Sequence, residues 1–221
     1  MERELESIFA YLNAVSDFAL PRYKELPGVP LYMEQVLSFI NDALSSLRPE
    51  EAKPLTSFMV NNYVKARMID EPEKKKYSRD QIGYLIAISL MKTTVSMSDM
   101  GTFLKLDKGV SANKEVLYRF WSEMETSILS EAAKKTHSRV ENIQKRYRND
   151  LSRVSQEKAE ANARDALGLI AMRLAIQAQA NKLLSDYIIG MIGKTMDDEA
   201  KDTTPKKKSP KNKTAKKRRT K

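Results

Sequence analysis

The sequence predicts an all-α protein. Glycine and proline are scarce, seven and eight in 221 residues, while Ala, Leu, Met, Lys and Glu are plentiful. The apolar residues also recur at spacings of three and four along most of the chain. An apolar fraction of 41% set against 31% charged residues is enough for one or two modest cores.

The elements follow in order. Residues 2–18 carry Leu5, Ile8, Phe9, Leu12 and Val15 on one side of a helix. "LPRYKELPGVP" ends it with three prolines and a glycine. From Leu31 a second helix places Val36, Leu37, Ile40, Leu44 and Leu47 in a buried stripe, and "RPEEAKP" is a loop. Thr56 can cap the next helix, its hydroxyl taking up amides that have no helical partner. Phe58, Met59, Tyr63 and Met68 are expected to face inward there. "DEPEKKK" is a short exposed connection. Ser78 with Gln81 forms a capping box for a helix whose apolar face is Ile82, Leu85, Ile86 and Leu90. Ser96 or Ser98 starts a further helix through Met97, Met100 and Leu104.

Beyond "LDKGVSAN" the pattern lengthens. No proline separates Pro72 from Pro205, and no glycine separates Gly109 from Gly168. Such a run of roughly 55 residues spans about 80 Å as one straight helix. Val116, Phe120, Trp121, Met124 and Ile128 form one seam, and Val140, Ile143, Tyr147, Leu151 and Val154 continue it at coiled-coil spacing. A bend or separation is expected between them at the polar "SEAAKKTHSR". The stretch Ala159 to Ile192, apolar on several sides, is expected to be buried and to end near Gly190 and Gly193. The closing "KKKSPKNKTAKKRRTK" has no large apolar residue to offset the entropy of ordering, so a disordered tail is expected. The resulting divisions are residues 1–30, 31–108, 109–196 and 197–221.

Several function classes are disfavoured. The absence of cysteine removes disulfides, thiol chemistry and cysteine-based zinc sites, and one histidine, His137, cannot build a histidine metal site. Neither a Gly-rich phosphate loop nor a nucleophile elbow occurs. The acidic residues sit on charged helical faces, and His137 reads as exposed. Trp121 and the methionines are accounted for by core packing. No catalytic residue, metal, cofactor or small-molecule ligand is therefore expected. "MERELESIFAYL" lacks the apolar segment of a secretory signal. "ALGLIAMRLAIQAQANKLLSDYIIGMI" is interrupted by Arg173, Lys182 and Asp186, so no membrane span is expected. A cytoplasmic, nucleoid-associated location follows as the expectation.

The formal charge of +10 is unevenly spread. Residues 201–221 hold eleven Lys or Arg against one acid, leaving 28 of each sign in the first 200 residues. The body is neutral. Bulk attraction to polyanions belongs to the tail, through Lys206, Lys207, Lys208, Lys211, Lys213, Lys216, Lys217, Arg218, Arg219 and Lys221. Without aromatic residues the tail cannot stack on bases.

In the body, local pattern has to carry the argument. If Phe58, Met59 and Tyr63 point inward, then Ser57, Asn61, Asn62 and Lys65 project outward. Asparagine can pair with the adenine edge in the major groove. Lys65 and Arg67 can reach phosphates, as can the Tyr63 hydroxyl while its ring fills the core. Lys74, Lys75 and Lys76 would lie along the backbone as a wing, with Arg79 behind them. A solvated face of a small helical bundle accounts for the same residues.

"SFMVNNYVKARMI", a polar turn, and then "KKYSRDQIGYLIAISLMK" resemble the winged helix-turn-helix of the mercury-resistance-regulator superfamily, whose post-wing helix starts on the Tyr-Ser matched by Tyr77-Ser78. Asn61 stands where that pattern has an arginine, and Asn62-Tyr63 replaces its aromatic pair. "LPRYKELPGVPLYMEQVLSFIN" with "MVNNYVKARMIDEPEKKKYSRDQI" resembles more closely an uncharacterised bacterial family, domain of unknown function eighteen thirty-six, over about residues 18–110. The resemblance implies a winged helix-turn-helix at 31–108. It also implies that the long helices of 109–196 form a coiled-coil or helical-hairpin dimerisation region. The expected function is binding of double-stranded DNA by a homodimeric transcriptional regulator. The alternatives are a nucleoid- or RNA-associated protein acting through its tail, and a helical protein-interaction module.

Overall fold

A computed structural model describes residues 1–47, 53–110 and 113–202. Among these residues seven helices run in the order α1 (Glu2–Ser16), α2 (Met33–Ala43), α3 (Ser57–Lys65), α4 (Arg79–Met91), α5 (Met97–Val110), α6 (Lys114–Asp150) and α7 (Gln156–Asp202). Two-residue strands β1 (Leu31–Tyr32) and β2 (Lys76–Tyr77) pair antiparallel, Leu31 opposite Tyr77. The all-α expectation stands, with this small sheet added.

Local chemistry sets the helix starts. The Thr56 hydroxyl accepts from the Met59 amide at 3.3 Å, and the Ser78 hydroxyl accepts from Gln81 at 3.4 Å. The Gln81 side chain completes a capping box at Ser78 by accepting from the Ser78 amide at 2.7 Å. Ser96 caps α5 through the Asp99 amide, and Asn113 caps α6 through the amides of Glu115 and Val116.

The first core gathers residues from 18 to 100 around α4. Val36, Ile40 and Leu44 from α2 and its end, Val60 and Tyr63 from α3, and Ile82, Leu85, Ile86 and Ile88 from α4 are all buried in it. Because α4 is apolar nearly all round, even Gly83 and Ser89 are buried. The amino end of α6 closes this core. Its Tyr118 lies in the cluster and donates its hydroxyl to the Pro21 carbonyl at 2.9 Å.

A second core lies at the other end of α6. Leu5 of α1 meets Val140, Ile143 and Tyr147 of α6 and Ala159 and Ala163 of α7. His137 is half-buried there rather than exposed, its ring 4.8 Å from that of Phe9.

The long helices depart from the sequence expectations in four respects. Between Lys114 and Asp150 α6 is unbroken, because the polar "SEAAKKTHSR" still turns Ala133 and Thr136 inward. The break comes instead at 151–155, which leaves Leu151 and Val154 exposed. Val116, Phe120, Met124 and Ile128 are exposed, since α6 turns Tyr118 and Ser122 to the first core and leaves that stripe on the outside. α7 passes Gly190 and Gly193 and continues to Asp202, and its residues 171–184 are exposed rather than buried. Its start packs on α6 and its later part touches α5, where Gly193 faces Thr102. Nothing in the described chain covers what lies between.

Candidate nucleic-acid interface

The candidate face begins with the phase of α3. With Thr56 as cap, Val60 is the fourth helical residue, and Val60 and Leu55, just before the cap, are buried in the same cluster. This is the arrangement of a hydrophobic staple. At 100° per residue it turns Val60, Tyr63 and Val64 inward and Phe58, Asn61, Asn62 and Lys65 outward, while Ser57, on the side of Val60, is left open by its place at the first turn. Accordingly Ser57, Asn61 and Lys65 are exposed and Asn62 is half-buried.

One expectation changes. Phe58 was expected inward but is 73% exposed, in the middle of the polar face. The sequence signal for its position was the staple, which counts from the cap. Tyr63 is only 5% exposed, and burial pushes its phenol up from the ordinary value. Its ring fills the core behind the face, as expected.

Beyond Lys65 the chain turns sharply. The Arg67 amide donates to the Val64 carbonyl at 2.9 Å and the Met68 amide donates to the Tyr63 carbonyl at 3.0 Å. These two bonds make a Schellman cap, whose turning residue Arg67 has φ of 55°. Lys74 and Lys75 then form a two-residue loop closed by the Glu73–Lys76 bridge, with φ of 50° and 65°. Positive φ at both central residues is what a type I′ hairpin requires. Arg67, Lys74 and Lys75 are exposed, and among the described residues they are the non-glycine residues with positive φ.

Behind the hairpin the framework is tied down. Lys76 is half-buried, its ammonium 4.8 Å from the centre of the Tyr32 ring. The Gln81 amide donates to the carbonyl of Asp70 at 2.8 Å and of Glu71 at 3.4 Å, fixing the link between α3 and the hairpin. Arg79 is half-buried over the Tyr23 ring at 5.4 Å, so it belongs to this support. Beside it the Tyr23 hydroxyl donates to Asp80, which also faces Lys114 at 3.9 Å. Ala66, Arg67, Lys74 and Lys76 border a hollow of about 980 Å³ together with Asp70, Glu71 and Glu73. The local charge is therefore mixed, and the position of the cations matters more than their number. The tail cations Lys206 to Lys221 lie outside the described residues.

Among the described residues no cluster of side chains could hold a metal ion, and no helix is long and apolar enough to cross a membrane. Residues 21–121 match the model of a family described as a domain of unknown function (DUF1836). The match takes in both strands, α2 to α5 and the start of α6, and stops before most of the long-helix region. No curated protein and no solved structure matches the chain.

Proposed function

We propose that the face made by α3 and the Lys74–Lys75 hairpin binds double-stranded DNA, in the manner of a winged helix-turn-helix regulator. One observation carries the reading: the described non-glycine residues with left-handed backbone are Arg67, Lys74 and Lys75, all cationic and all bordering this face. A residue with a Cβ pays about 1 kcal/mol or more in that conformation, which Gly or Asn tolerates better. Keeping a cation at three such positions is reasonable where the charge itself is used, and phosphates along a groove supply that use.

The order of elements agrees. A strand, two helices, a hairpin pairing back on the strand and a further helix is the layout in which a wing flanks a recognition helix. The link between α2 and α3, residues 44–56, is longer than the roughly three- or four-residue turn of the simplest such motifs. On this reading Asn61 and Asn62 meet adenine edges and Phe58 a thymine methyl, while Lys65 and the hairpin lysines meet phosphates.

The test is a random-sequence duplex selection with the full chain and with a 1–202 truncation that stops at the end of α7, at several salt concentrations. A motif enriched by the truncation is the expected result. Binding that disappears with the tail and enriches no motif would assign nucleic-acid binding to residues 203–221 instead. Two inert proteins would leave a protein-interaction module. Within the face, Asn62→Ala and Phe58→Ala should blur base preference, whereas neutralising Lys74 to Lys76 should weaken all duplexes alike and flatten the salt dependence.

A further inference from the structure

α7 carries an apolar stripe that the rest of the described chain leaves open. Leu169, Met172, Ile176, Leu183, Tyr187 and Met191 are 49–70% exposed. With Ala180 they follow one another at spacings of three and four that repeat every eleven residues, 169 to 180 to 191. An eleven-residue repeat averages about 3.67 residues per turn, so the stripe runs almost straight along the helix. It lies on a different flank from Ala159, Ala163 and Ile170, which pack into the second core.

The polar flanks are thin. Between 166 and 193 the charged residues are Arg173, Lys182 and Asp186, and the last two pair with each other at 2.9 Å. With flanking Leu184 and Ile188, whose exposures are 66% and 57%, these large side chains together expose on the order of 900 Å². The largest apolar patch of an ordinary monomer is roughly 300–600 Å², and each side of a standard interface contributes about 800 Å². Helices in proteins owe most of their stability to packing, and residues 171–184 are exposed throughout.

We infer that the stripe is covered by the same stripe of a second copy of this chain, the two α7 helices running antiparallel and crossing at Ala180. The spacing reads nearly the same from either end about that residue: 169 falls opposite 191, 172 opposite 187–188 and 176 opposite 183–184. A surface that matches itself in this way closes a two-fold dimer. The small Ala180 at the centre lets the helices approach. The other occupants fit less well. Residues 203–221 contain no large apolar side chain, and the segments 48–52 and 111–112 are too short to cover it. An anionic membrane surface calls for a Lys- and Arg-rich flank, which α7 lacks. The inference does not depend on DNA binding.

Sedimentation of the full chain at high micromolar concentration should give twice the chain mass of 25.2 kDa. Ile176→Glu with Leu183→Glu should halve that mass while the helix content by circular dichroism is unchanged. The chain has no cysteine, so crosslinking gives an independent measurement. Ala180→Cys should form a disulfide-linked dimer on mild oxidation, while Leu169→Cys should do so only when mixed with Met191→Cys. A wild-type chain that sediments as a monomer overturns the inference, and if it then binds lipid vesicles the stripe is a membrane-facing surface. A dimer broken by Phe120→Glu but not by the α7 changes overturns it in favour of α6. Self-crosslinking of Leu169→Cys alone overturns the antiparallel arrangement.

Discussion

Tyr23 and Asp80 show how much one contact can tie together. The Tyr23 phenol reaches from the Pro-rich connection to the first turn of α4, and Asp80 faces Lys114 at the first turn of α6. Burial first, and then the bond to Asp80, push the Tyr23 phenol up from 10 to about 12. A raised value means that the folded state holds the proton more tightly than the unfolded state does. The contact's contribution is therefore complete below pH 10 and is lost as pH rises towards 12. Tyr23→Phe should lower stability by about 1 kcal/mol at neutral pH and remove this residue's share of the alkaline loss. Urea unfolding of both proteins across the alkaline range checks this, and identical curves would mean that the bond contributes nothing. At the same scale, Lys74→Asn with Lys75→Gly should stabilise the hairpin by roughly 1 kcal/mol, since Asn-Gly suits its turn. The same change should weaken duplex binding. A variant that becomes more stable and binds DNA as tightly as wild type would remove the reason given for lysine at these positions.

At the level of elements, cap chemistry was legible and helix phase only partly so. Thr56 and Ser78 are residues whose side chains satisfy amides within three positions, so the starts of α3 and α4 could be read from short segments. Phe58 could not be placed by apolarity, because the larger ring yields the core to Val60, which the cap places on the buried side. α4 and α6 meet through a close approach at Gly83. A Cβ on Gly83 would stand 3.0 Å from Cδ2 of the Tyr118 ring. In an exposed helix Gly→Ala gains about 1 kcal/mol, yet here Gly83→Ala should destabilise by roughly 1–3 kcal/mol through overpacking. Thermal unfolding decides the sign, and a gain in Tm would show that Tyr118 can move aside.

For the whole molecule, the first helix belongs with the later half of the chain. Leu5 is fully buried against residues 140–163, so α1 completes the three-helix cluster with α6 and α7. Leu5→Ala should cost about 2–5 kcal/mol, the range for a large-to-small change in a closed core. Chemical denaturation measures it, and a loss under about 1 kcal/mol would mean that α1 is only loosely held. The sequence by itself determined the helical class, the starts of α3 and α4, the lysine-bearing turn and the concentration of net charge in the last 21 residues. Each of these rests on composition or on neighbours within a few positions. Only the tertiary structure decided which apolar stripes are covered: 140–147 is covered by α1 and α7, whereas 116–128 and 169–191 are left open. Periodicity marks a face that avoids water, but which distant segment reaches it depends on where the whole chain places its other helices.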